Sequence, residues 1–72
     1  MTTCSTIKEA IGRSISHNEI ALVIVDDLRA ALESIDNDEN VSDFDHSTEN
    51  NGDIDAWGTR LDREFRIRIR QS

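Results

Sequence analysis

The chain has seventy-two residues, a formal net charge of −7 and one cysteine. That length makes a single small domain, and one cysteine leaves no internal disulfide. An acidic surface repels nucleic-acid phosphates, which disfavours direct backbone binding and favours basic partners. The charge is also segregated. Residues 1–35 carry three basic and five acidic groups, residues 36–59 eight acids and no base, and residues 60–72 five Arg and two acids. The opening MTTCSTIKEA has no basic region followed by an apolar stretch, as a secretory signal would. The longest apolar run, Ile20–Val25, falls far short of the roughly 20 residues of a membrane helix. A cytoplasmic protein without a membrane partner is expected.

Thr6 and Glu9 have capping-box spacing, a hydroxyl for one orphan amide and a carboxylate for another. Ile7, Ala10, Ile11 and Ile15 follow at helical spacing, predicting a short helix over residues 6–15, weakened by Gly12. The run EIALVIVDDLRAALESI supports two readings. One is a long helix opened by Ser16 and Glu19. The other is a strand, Ile20–Val25, then a helix capped by Asp26. The β-branched, two-sided apolar character of residues 22–25 favours the strand. Leu28, Ala31, Leu32 and Ile35 then form an i, i+3, i+4, i+7 stripe.

Residues 36–52 are acidic, with Val41 and Phe44 as their large apolar residues, and read as a loop ending in the turn pair Asn51-Gly52. DIDAWGT is strand-like, RLDR fits a hairpin loop, and in REFRIRIRQ Phe65, Ile67 and Ile69 alternate with charged residues, a half-buried strand. Ile54 and Ala56 are expected to face inward. Asp53, Asp55 and Trp57 share the outer face with Arg66, Arg68 and Arg70, where opposite charges across a hairpin stabilise it. The expected fold is α+β, in the order α-β-α-β-β. Two helices pack on one face of a small antiparallel or mixed sheet of three strands, with a C-terminal β-hairpin.

Sites for chemistry are weak. A calcium loop starting at Asp36 has oxygen ligands at positions 1, 3 and 5, but Val41 at position 6 and Ser47 at position 12 remove the glycine bend and the bidentate acid. Started at Asn51, the loop has Asp62 at position 12 but Ala56 at position 6. Cys4, His17 and His46 lack paired metal-ligand spacing. Cys4, a histidine and an Asp can be drawn as a triad in any acidic chain. The three glycines are isolated, so there is no phosphate loop. No catalytic residue, cofactor or metal is expected. The three arginines of the last strand are best read as partners of the acidic segment. Trp57 either covers their stems or forms an exposed anchor.

In size and charge, and in a compact α/β start followed by a terminal hairpin, the chain resembles small acidic proteins of phages and mobile elements, among them inhibitors of CRISPR or restriction nucleases. These share no common motif, so the resemblance carries no residue role. It implies a non-enzymatic protein binder that occludes a basic surface on a nucleic-acid-handling partner. The charge layout points to the same class and to Asp36, Asp38, Glu39, Asp43 and Asp45 as contacts, with Trp57 as an apolar anchor. The alternative is a structural or assembly module, a homodimer joined through sheet edges or helix faces.

Overall fold

The computed structural model describes residues 3–72. Helix α1 (Ile7–His17) starts where the Thr6–Glu9 spacing places it. The Thr6 hydroxyl accepts from the Glu9 N–H at 3.1 Å, and the Glu9 carboxylate accepts from the Ser5 N–H at 3.2 Å. Two orphan donors are thereby satisfied. The helix ends at Asn18, whose φ of 51° is the left-handed conformation that Asn tolerates.

The strand-then-helix reading of the next segment is the one found. Strand β2 (Ala21–Val25) precedes helix α2 (Leu28–Asp36). The cap is Asp27, one residue later than expected: its Oδ1 accepts from the N–H groups of Arg29 (3.0 Å) and Ala30 (3.3 Å). The Asp26 carboxylate instead accepts from the Ser72 hydroxyl at 2.9 Å.

The sheet is larger than the sequence suggests. Among the described residues it has five strands, in the order β1-β2-β5-β4-β3, with β4 (Ile54–Arg60) and β5 (Arg63–Gln71) the expected hairpin. Two strands were not expected. Strand β1 (Thr3–Cys4) pairs parallel with β2, and β2 pairs parallel with β5. Strand β3 (Val41–Thr48) lies within the segment read as an acidic loop and forms the antiparallel edge beside β4. The element order is therefore β-α-β-α-β-β-β, not α-β-α-β-β. Composition misled because β3 faces solvent along nearly all its length. An edge strand can take its order from ladder bonds to β4 rather than from burial.

One face of the sheet carries Val23, Ile54, Ala56, Phe65, Ile67 and Ile69, and both helices cover it with Ala10, Ile11, Ala31 and Ile35 in a single core. A buried hydroxyl pins α1 to β5. Ser14 Oγ accepts from the Arg66 N–H at 2.8 Å, one residue before β2 begins to pair with β5 at Ile67. That amide lies next to the last rung of the β2–β5 ladder, and the serine satisfies it.

The β4–β5 turn is two residues long, Leu61-Asp62, flanked by the Arg60–Arg63 pair. Both have positive φ, 52° and 65°, the hand that matches strand twist in a two-residue hairpin. Leu61 is an unusual residue for that conformation, and its side chain is exposed.

Candidate functional site

The face of the sheet away from the helices is open. Register sets its content row by row. Asp45, Trp57 and Arg66 lie side by side on β3, β4 and β5. Ser47, Asp55, Arg68 and Leu22 form the next row, and Ile24 stands beside Arg70 at the far end. Trp57 is 37% exposed and Ile24 41%.

The acidic residues of β3 reach this face through a bulge. Between the pairs Ser42–Thr59 and Asp45–Trp57, β3 has one residue more than β4. Asp43 adopts φ 54° at that point. Without the extra residue, strict alternation from Val41 would turn Asp43 and Asp45 toward the core. The bulge keeps both out and brings Phe44 against the core. Gly58 makes room for it: a Cβ there would lie 3.2 Å from Phe44 Cα, from Ser42 O and from the Phe65 ring.

The arginines pair as the alternation implied. Arg70 Nη2 donates to Asp53 Oδ2 at 2.9 Å, and Arg68 Nε donates to Asp55 Oδ1 at 3.0 Å. Arg60 Nε donates to Asp38 Oδ2 at 3.1 Å. Of the arginines on this face Arg66 is held least: its contact with Asp55 Oδ2 is 4.0 Å, and its side chain is 57% exposed. Asp53 and Asp55 are buried beneath these arginines.

The charges shift as this geometry requires. The Arg70 guanidinium holds the Asp53 carboxyl below the usual range. Asp55 is held down by its hydrogen bond with Glu49 and then by Arg68, while Glu49 is pushed up by the same bond and by the charge of Asp55. Asp38 is held down by the Asn40 N–H and then by Arg60. A lowered Asp contributes stability that is present above its unfolded pKa, near about 4, and lost as pH falls through its folded value. Glu49 acts in the opposite sense: its raised value favours the fold at low pH, and that contribution is lost as pH rises through it. Glu49→Gln is therefore expected to raise the melting temperature at about pH 7.5 and leave it unchanged near about pH 4, where Glu is mostly protonated. Thermal melts at both pH values check this; an equal shift at both would refute the pairing.

The sequence-predicted contacts divide into three groups. Asp38 is taken by Arg60 and by the Asn40 N–H. Asp36 and Glu39 are exposed around the end of α2. Asp43, Asp45 and Trp57 come together at the bulge, and Asp43 and Trp57 line a groove of about 610 Å³ with Glu19, Glu64 and Arg66. Asp36, Glu39, Asp43 and Asp45 form no ion pair among the described residues. Two features were missed in the sequence, the Glu49–Asp55 pair and the loosely held Arg66. Both depend on register between strands, which spacing along the chain does not carry.

The residues considered for chemistry stand apart. Cys4 is buried in the core beside β2, and burial pushes its thiol up, away from the reactive thiolate. His17 is exposed at the end of α1, and His46 is exposed and stacked on Phe44 at 6.0 Å. No group of three or more potential metal ligands occurs among the described residues, and no helix there is long and apolar enough to cross a membrane. Comparison with protein-family models, with curated proteins and with solved structures finds no match.

Proposed function

We propose that this chain is a non-enzymatic acidic binding module that occludes a basic surface on a nucleic-acid-binding protein or nuclease complex, an inhibitor of the nucleic-acid-mimic type to which anti-CRISPR proteins belong. One observation carries the reading. Within residues 36–59, Asp38, Asp53 and Asp55 are paired with arginines, whereas Asp36, Glu39, Asp43 and Asp45 are exposed and form no ion pair among the described residues. The arginines neutralise the first set, so the negative potential concentrates on the second. Asp43 and Asp45 sit on a hydrogen-bonded strand rather than a free loop, so less ordering entropy is lost on docking. A basic partner is steered toward such a surface, and its association weakens with salt.

The test neutralises acids that lie outside the row Asp45–Trp57–Arg66. Asp36→Asn, Glu39→Gln and Asp43→Asn are combined, and the wild type and variant are used to capture proteins from the host cell. Basic nucleic-acid-binding proteins are expected in the wild-type capture, and at least about tenfold less in the variant, as loss of several interfacial charges implies. Equal capture by both would refute the charge-mimic reading.

A further inference from the structure

We propose that a second copy of this chain docks face to face on the open side of the sheet, through the row Asp45–Trp57–Arg66. The row is self-complementary. A two-fold axis along β4 places Asp45 of one copy over Arg66 of the other, twice, and brings the two Trp57 rings together at the centre. Aligned sheets pack in this way at about 10 Å, a separation that side chains of this size span.

Three independent features mark this row on the open face. Of the three β5 arginines on this face, Arg66 is the least satisfied, 4.0 Å from a carboxylate that already receives a 3.0 Å bond from Arg68. Asp45 forms no ion pair among the described residues; its Oδ1 accepts from the His46 N–H at 2.8 Å, and its Oδ2 has no hydrogen-bond partner there. Trp57, between them, is a large exposed apolar side chain, and Trp and Arg are the types that anchor interfaces. On one side the neighbouring rows are internally neutralised by Arg68–Asp55 and Arg70–Asp53; on the other, the row Ser42–Thr59–Glu64 sets Glu64 over the uncharged Ser42 of the second copy. Pairing through the β3 edge would instead set acid against acid.

Three strands bury on the order of 900 Å² in total, below the range of stable specific interfaces and within that of transient ones, so the dimer forms and dissociates readily. It withdraws Asp45 and Trp57 from any other partner, while Asp36, Glu39 and Asp43 lie outside the row. The proposal does not depend on the identity of a basic partner.

Sedimentation equilibrium from about 20 μM to about 1 mM is the test, the range in which an interface of this size associates. The mass is expected to rise from 8.1 kDa toward twice that value, with a blue shift of Trp57 emission. Asp45→Arg and Arg66→Asp should each weaken association by at least about tenfold, since each sets like charges face to face. Mixed in equal amounts, these two variants should form a heterodimer, because every facing pair is then opposite in charge. The double variant D45R/R66D should regain self-association. Recovery on mixing also shows that both variants are folded. A mass that stays at 8.1 kDa at the highest concentration would overturn the proposal. So would association that neither substitution alters, or single variants that fail to recover on mixing.

Discussion

Ile67→Ala is expected to remove most of the stability of this fold. Ile67 is fully buried at the centre of β5, under α1. Its cross-strand neighbours are both alanines, Ala21 on β2 and Ala56 on β4. The row is small-large-small, with the isoleucine as its one large side chain in the core. Neither cross-strand alanine can fill the cavity, and the expected cost is about 4 kcal/mol. Domains of this size hold roughly 4–11 kcal/mol in all. A thermal melt should fall by about 20 °C or more, at several degrees per kcal/mol for a short chain. Ile24→Ala is the control: that side chain is on the open face and should shift the melt little. A loss below about 5 °C for Ile67→Ala would mean that the core relaxes far more than this packing allows.

Gly58→Val is expected to cost about 2–3 kcal/mol, and to act first on the bulge. Two of the three atoms crowding a Cβ at 3.2 Å, Phe44 Cα and Ser42 O, are backbone atoms of β3. They cannot swing aside as a side chain could. Either β3 moves away from β4, or the extra residue is expelled and Asp43 and Asp45 turn toward the core. Both outcomes loosen the edge strand while leaving β2 and β5 paired. Amide hydrogen exchange should therefore show lost protection in residues 41–48 before the rest of the sheet. Gly58→Ala should show the same pattern with a smaller loss. Uniform loss across all strands would place the strain elsewhere. The displaced strand also carries two of the acids proposed to meet a basic partner, so binding should fall with the protection.

Local signals were legible where the information sits within one turn or one strand. The Thr6–Glu9 spacing marked the start of α1, because a cap depends on residues three apart. The stripe of Leu28, Ala31, Leu32 and Ile35 marked α2, although the cap moved by one residue because both Asp26 and Asp27 can serve as one. The alternation of Phe65, Ile67 and Ile69 with arginines fixed which side of β5 is buried. It also placed Asp53 and Asp55 among those arginines before any register was known.

Strand β3 was not legible, because its order comes from hydrogen bonds to β4 and its polar residues carry no apolar period. The bulge was hidden for the same reason: it depends on a glycine fourteen residues beyond Phe44 in the chain. By itself the sequence determined two helices, a C-terminal hairpin and a separation of negative from positive charge, all properties of near neighbours. The tertiary structure alone decided which carboxylates are neutralised and which stay exposed. It alone set Asp45, Trp57 and Arg66 side by side, because ladder register joins residues that are distant along the chain.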